Sequence, residues 1–294
     1  MEFGVMISPV PRTGTMQQMV EANEHMLQAA NRNGWGLWFV DHLQQGEMPY
    51  LECWTQMVHT SARYPDLTAG TIVLSQSYRN PGHLANMAAT LQFLSGGKLI
   101  FGIGAGWKED EYLAYNYDFP RPGVRLQQLE EALRVVTALW SGERVTVDGE
   151  YYRVTEAIAL PAPDPIPPIM VGGNGEKTLG IAARYADWWN ADLATPELFR
   201  QKVATLRDKS VAAGRAADAV RPTAFNMLSL SADPDKVKRQ PPREGIHMIS
   251  GTPDEVRDQL REYQNAGVDY MQINFMDFPD TEAVELFEEI AREF

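Results

Sequence analysis

Two spacings of apolar residues alternate along this chain. Short β-rich apolar runs are separated by longer stretches in which apolar residues return every three or four positions, the spacing that places them on one side of a helix. The runs at 2–8, 37–40, 67–74, 99–103, 169–171, 188–190, 223–230 and 271–275 read as strands. Helices are predicted over 16–33, stopped by Gly34, and over 51–63. Another opens at Asn80 and Pro81 and ends before the Gly96-Gly97 turn. Later helices open after Gly175, at Thr195-Pro196-Glu197, and at the Thr252-Pro253-Asp254-Glu255 capping box, and 282–294 closes the chain. Eight strands, nearly every one followed by a helix, predict one (β/α)8 TIM barrel spanning 1–294. A doubly wound open sheet would need a dinucleotide fingerprint early in the chain, and none is there.

The rhythm breaks once, over about 108–168. A short helix at 108–117 is ended by the residues around Pro120 and Pro122, and a long amphipathic helix follows at 124–140, with Leu126, Leu129, Leu133, Val136 and Leu139 on one face. Residues 144–153 alternate around Asp148-Gly149, a hairpin signal, and a proline-rich stretch at 161–168 returns the chain to the barrel. The charged, proline-bearing segment at about 233–245 is expected to be a mobile loop.

Composition narrows the partners. The chain has 294 residues, of which 22% are charged, as expected of an ordinary soluble globule. Its 26 basic against 39 acidic residues, a net charge of -13, argue against a nucleic-acid backbone as partner. Cys53 is the one cysteine, so no internal disulfide forms and a reducing compartment is expected. The amino terminus starts directly as a strand, without a basic leader or membrane-length apolar run, which points to the cytoplasm and away from a membrane.

Candidate chemistry collects at the carboxyl ends of the strands, where parallel α/β folds bind ligands. The strand–helix–strand unit over 71–107 ends its two strands in Ser75-Gln76-Ser77 and in the glycines Gly102, Gly104 and Gly106. Glycines after a strand let backbone approach a phosphate or a flat ring, but Trp107 stands where a third fingerprint glycine belongs, and an ordinary tight turn fits the same residues. Gly172 to Gly175 precede a helix, so their amides and the positive helix end make an anion site, here a phosphate, or else a plain glycine-rich loop. Asp41 and His42 close the second strand. His42 can carry a proton near neutral pH, which hydride transfer to an adjacent carbon requires, or it can be a histidine satisfied by a backbone carbonyl. His25, His59, His83 and His247 lack metal-ligand spacing, and no GxSxG nucleophile motif is present, so no metal or serine hydrolase site is expected.

Several segments in fixed order resemble the luciferase-like monooxygenase superfamily, and within it the branch of oxidoreductases that use the deazaflavin coenzyme F420. They are VDH at 40–42, YRNPGHLANMAATL, LSGGKL, GIGAGWKEDEY, FPRPGVRLQQLEEALRVVTALWSGE, DGEYYRV and GGNGEKTLGIAARYADWWN. The resemblance implies a luciferase-like TIM barrel that exchanges a hydride between F420 and a small organic substrate. Its rivals are an FMN-dependent monooxygenase using reduced flavin and O2, and a flavin-binding protein without catalysis. It implies Asp41 and His42 beside the reactive ring, a non-prolyl cis peptide between Ile72 and Val73 with Ser75 just beyond, and cofactor contacts from Gly104, Gly106, Asp110, Met170, Val171, Gly172, Gly173 and Asn174. A homodimer is implied as well. Two departures argue against a glucose 6-phosphate activity: Trp107 replaces a catalytic glutamate of the sugar-phosphate dehydrogenases, and Gly46 replaces their aromatic after the Asp-His pair. Trp107, Trp188, Trp189 and Tyr78 are candidates for an apolar substrate wall instead.

Overall fold

Each strand expected from the apolar runs forms and pairs in parallel. The computed structural model describes residues 1–238 and 247–294. Its first half runs β1 (Glu2–Met6), α1 (Met16–Asn33), β2 (Gly36–Phe39), α2 (Cys53–Arg63), β3 (Ala69–Thr71), β4 (Leu74–Ser75), α3 (Pro81–Leu94), β5 (Leu99–Gly104), α4 (Glu109–Ala114) and α5 (Pro122–Leu139). The second half runs β6 (Val145–Asp148), β7 (Arg153–Ala157), β8 (Ile169–Gly172), α6 (Glu176–Tyr185), β9 (Trp188–Asp192), α7 (Pro196–Ala212), β10 (Arg221–Leu230), β11 (Met248–Gly251), α8 (Pro253–Asn265), β12 (Tyr270–Phe275) and α9 (Glu282–Ala291). Eight strands, in the order β1, β2, β3, β5, β8, β9, β10, β12, close into a ring when β12 pairs with β1. This is the TIM barrel foreseen.

Local signals act where they were read. Thr15 and Gln18 form a capping box that starts α1, and Gly34 ends it at φ +67. Asn80 caps α3 by accepting the amides of Gly82 and His83, with Pro81 in the first turn. Thr252 and Glu255 cap α8 reciprocally. Strands of a parallel ring are covered on both sides, so β5 and β12 are buried along their whole length. Their outward side chains, with Val5, Leu37, Phe101 and Val171, pack beneath the helices in one continuous core.

The barrel interior is filled from its N-terminal end. Trp38, Ile100, Met170 and Tyr270 form a separate inner cluster, and the Trp38 indole N–H donates to the Tyr270 hydroxyl at 3.1 Å. Glycines make that room: a Cβ on Gly4 would fall 2.2 Å from the Trp38 indole nitrogen, and one on Gly70 2.6 Å from its ring. Above this plug, Asn190 donates to Gln272 at 2.8 Å and to Thr223 at 3.0 Å. A hollow of about 540 Å3 does lie at the N-terminal end, lined in part by Glu2, Trp188, Arg221 and Tyr270. Arg221 there already pairs with Glu2 and Asp269 and stands over the Trp188 and Tyr270 rings, so its charge is answered within the chain. The plug separates this hollow from the opposite mouth, where the strand ends carry the candidate chemistry.

Three details differ from the sequence reading. The third strand is interrupted at Ile72 and Val73, whose peptide bond is cis as the resemblance implied, and resumes as β4 beside β5. The hairpin β6–β7 forms with Gly149 to Tyr152 between its strands, because the Glu131 carboxylate accepts the amides of Glu150, Tyr151 and Tyr152 at 2.8–3.0 Å and holds a wider turn. An additional strand, β11, lies parallel to the upper part of β10, outside the ring. Of the loop expected over 233–245, residues 239–245 lie outside the described residues; before them the Lys238 amide bonds the Ser229 hydroxyl at 2.9 Å. Among the described residues no helix is long and apolar enough to cross a membrane.

Candidate active site at the barrel mouth

Asp41 and His42 follow β2 directly, and the chain turns there so that the two side chains take separate tasks. The Asp41 carboxylate is buried and receives both Arg79 guanidinium nitrogens, at 2.8 and 3.0 Å, and the Ser75 amide at 2.9 Å. Arg79 also reaches Glu52 at 2.6 Å. Burial pushes the Asp41 carboxyl up, and Arg79 and the Ser75 amide pull it back toward the charged form. Asp41 is therefore a strut that ties the end of β2 to β4. It is not a free acid.

His42 has one nitrogen engaged. Its Nδ1 lies 2.7 Å from Glu111 Oε1, and the other Glu111 oxygen accepts the Leu43 amide at 2.9 Å. Burial pushes Glu111 up, but the bonds from His42 and Leu43 outweigh it and hold the carboxyl below its ordinary value. An ionised carboxylate only accepts, so Nδ1 carries a proton; in the tautomer this selects Nε2 is the acceptor, and it has no partner among the described residues. The Trp107 ring stands perpendicular to the imidazole at 5.7 Å and the Tyr50 ring at 6.3 Å.

The platform beside them is built by close approach. The Val73 side chain lies between the ends of β5 and β8, where a Cβ on Gly104 would sit 2.7 Å from a Val73 methyl and one on Gly172 3.0 Å from the other. Gly106 adopts φ +76, and a Cβ there would overlap the Tyr112 hydroxyl, which itself hydrogen-bonds the Ser75 hydroxyl. No side chain other than glycine fits these positions without moving the platform. On the next strand end, Gly173 bonds the Asn190 carbonyl through its amide at 3.1 Å, and the Asn174 amide group bridges the Asp192 backbone in both directions. The α6 helix then starts at Gly175 with no side chain capping it, leaving its first amides for an anion.

The predicted residues thus divide. His42, Val73, Ser75, Gly104, Gly106, Gly172, Gly173 and Asn174 gather at the ends of four successive ring strands, β2, the interrupted third strand, β5 and β8. Asp41 supports them from behind, and Ile72 packs against the inner plug. Met170 belongs to that plug and Val171 to the outer core, both below the mouth. Asp110 is exposed on the first turn of α4 and pairs with Lys108 at 2.5 Å. Of the proposed aromatic wall only Trp107 stands exposed at the mouth, at 71%. Trp189 is buried against Phe199, Tyr78 packs among Tyr112 and Tyr117, and Trp188 lies at the opposite end of the barrel.

Sequence reasoning missed Glu111, Arg79 and Tyr112. All lie inside the quoted motifs, but nothing in the acidic run at 109–111 marks which carboxylate turns inward. Only the seating of α4 on the rim does, and it makes Glu111 and Tyr112 the buried residues of that helix.

A closed parallel ring with its longest excursion between the fourth and fifth ring strands, and with polar and glycine positions at one mouth, defines a TIM barrel of the kind that works at its C-terminal rim. The chain belongs to the luciferase-like monooxygenase family, whose model matches residues 1–246. It is 32% identical over 188 residues to the F420-dependent glucose-6-phosphate dehydrogenase of Microbacterium testaceum, covering 61% of this chain and 55% of that one. The match therefore spans under two thirds of that relative's length. An uncharacterized protein of Mycobacterium tuberculosis is 32% identical over 220 residues, 74% of each chain. Among solved structures, an F420-dependent secondary alcohol dehydrogenase in complex with an F420-acetone adduct superposes with a TM-score of 0.85 at 19% identity, covering 98% of this chain and 97% of that one.

Proposed function

We propose that this protein is an oxidoreductase that exchanges a hydride between coenzyme F420 and a small organic substrate at the C-terminal mouth of the barrel. The observation that carries the reading is the gathering of His42, Val73, Gly104 and Gly173 on four adjacent strand ends, where glycines let the backbone approach Val73 closely enough to form a platform. The family match and the F420-dependent relative support it. When bound, the coenzyme supplies the hydride chemistry at its ring.

The chain's own residues hold, orient and move the proton. Val73, with Gly104 and Gly172 on either side, supports the ring plane, and the backbone from Gly172 to Gly175 holds a phosphate at the start of α6. His42 Nε2 takes the proton of a substrate hydroxyl as its carbon loses hydride, or returns it to a carbonyl oxygen in the reverse direction. Glu111 fixes the tautomer that makes Nε2 the acceptor and stabilises the imidazolium that forms. Trp107 shields the imidazole from water on one side. Asp41 keeps the end of β2 in register with β4 through Arg79.

Glucose 6-phosphate is not the substrate in this reading. Trp107 fills space beside His42 where the resembling dehydrogenases carry a glutamate, and among the described residues nothing lies within 4 Å of a Cβ on Gly46 to replace their aromatic. The same reading places the enzyme in the cytoplasm as a homodimer, on the single cysteine and the family resemblance. Fluorescence titration with F420 and with FMN tests the cofactor assignment: F420 binding is expected, and tight FMN binding without response to F420 overturns it in favour of the monooxygenase. F420 binding without turnover across a panel of alcohols and ketones would make the protein a carrier.

A further inference from the structure

Arg12, a cation that makes no ion pair with any described residue, stands on the same rim. Arg12 lies in the loop after β1, the ring neighbour of β2 and its His42, and four ring positions from β8 with its glycine loop. Arg79, Arg184 and Arg221 pair with carboxylates, whereas Arg12 makes no ion pair or hydrogen bond with any described residue. Two polar groups face it electrostatically, Asp277 and Tyr50. Asp277 is engaged elsewhere, by Lys238 at 3.1 Å, the Ser229 hydroxyl at 3.2 Å and the Leu230 amide at 3.2 Å. Tyr50 is the ring that packs edge-on against His42. Arg12 thus follows β1, and His42, with the Tyr50 and Trp107 rings edge-on to it, follows the neighbouring β2. Arg12 is open to solvent, yet crowding lowers its pKa from the usual arginine value despite the opposite pull of Asp277 and Tyr50.

We infer that Arg12 binds the carboxylate of the substrate, which makes the substrate class small hydroxy acids and their oxo-acid products. This rests on the hydride-transfer reading given above. The phosphate loop at β8 and Arg12 at β1 lie across the mouth from one another, so a cofactor anion held at the first leaves the second for a different anion. A guanidinium recognises a carboxylate with two parallel N–H bonds, which fixes the neighbouring carbon in orientation as well as position. With the acid on Arg12, the carbinol carbon lies toward His42 and any apolar body against Trp107. In the oxidation the carbinol C–H bond breaks and its hydride, two electrons with the hydrogen, goes to oxidised F420. The hydroxyl proton goes to His42 Nε2, and the carbon becomes a ketone.

Matched probes test this on the whole protein: phenyllactate against 1-phenyl-2-propanol, and lactate against 2-propanol, which differ by a carboxylate for a methyl. Binding is read from quenching of tryptophan fluorescence, and turnover from loss of F420 absorbance. The wild type should bind the acids more tightly than the alcohols. Arg12→Gln should weaken the acids roughly ten- to a hundredfold and the alcohols less than about twofold, with Arg12→Lys in between. Equal affinity for acids and alcohols in the wild type, or an acid preference that survives Arg12→Gln, overturns the assignment. So does a parallel loss of F420 affinity in Arg12→Gln, which would give Arg12 to the coenzyme's own acidic tail. Absence of F420 binding in the wild type defeats the cofactor reading alone, because the acid preference is measured separately.

Discussion

The imidazole Nδ1 of His42 and the carboxylate of Glu111, 69 positions apart in the chain, meet at 2.7 Å. The pair joins the end of β2 to α4, an element of the excursion, and leaves one histidine nitrogen with its lone pair free. Removing that nitrogen tests the proton-transfer role. His42→Ala should lower turnover with F420 and an accepted substrate by about 10²- to 10⁴-fold. The barrel should still fold, with stability lower by roughly 1–3 kcal/mol because the buried Glu111 carboxylate loses its imidazole partner. Full activity in the variant would remove His42 from the reaction.

Glu111→Gln separates orientation from charge. The amide oxygen still accepts one N–H, but the charge that favours imidazolium is gone, so turnover falls while the barrel folds. Stability should drop by roughly 1–3 kcal/mol at neutral pH, the range for a buried charged hydrogen-bond acceptor. The sign follows from linkage: Glu111 is held below its ordinary value of 4.5, so its contribution is present above about pH 4.5 and lost as pH falls through the lower folded value. Urea midpoints of the two proteins should therefore converge below pH 4.5. A constant difference down to acid pH would show that the carboxylate's ionisation contributes nothing.

Arg79→Met leaves the Asp41 carboxylate buried with only the Ser75 amide. Breaking one side of a buried pair costs about 3–5 kcal/mol, so unfolding in urea should show a loss of that order. Asp41→Asn combined with Arg79→Met should recover part of it, since no uncompensated charge then remains. If the double variant is less stable than Arg79→Met, the strut role is wrong.

Gly104→Ala tests the platform. The new methyl would lie 2.7 Å from Val73, and relieving it means displacing Val73 from between Gly104 and Gly172. An overpacked site of this kind costs roughly 1–3 kcal/mol, and F420 affinity should fall with it. Gly123→Ala, at a glycine with no described residue within 4 Å of a Cβ, is the control that should leave affinity unchanged.

Much of the site was legible because glycine and histidine are rare enough at strand ends to stand out. Gly104, Gly106, Gly172 and His42 could be named from their places after apolar runs. Glu111 could not, because Glu109, Asp110 and Glu111 are chemically alike and only the seating of α4 on the rim turns one inward and leaves Asp110 against Lys108. Met170 and Val171 were carried by the motif they belong to, yet strand alternation sends one into the plug and the other beneath the helices. Among the four aromatics offered as a pocket wall, position along the barrel axis decided: Trp188 begins its strand and Trp107 follows one.

The sequence by itself determined the ring and its order, since the alternation of strand and helix periods, the caps at Thr15, Asn80 and Thr252, and the absence of a dinucleotide fingerprint are local properties of the chain. Tertiary structure alone decided which charges meet. Arg79 with Asp41, and Glu111 with His42, are separated by 38 and 69 residues. Their pairing depends on how closure of the ring brings the loops of neighbouring strands together, a distance that no local spacing encodes.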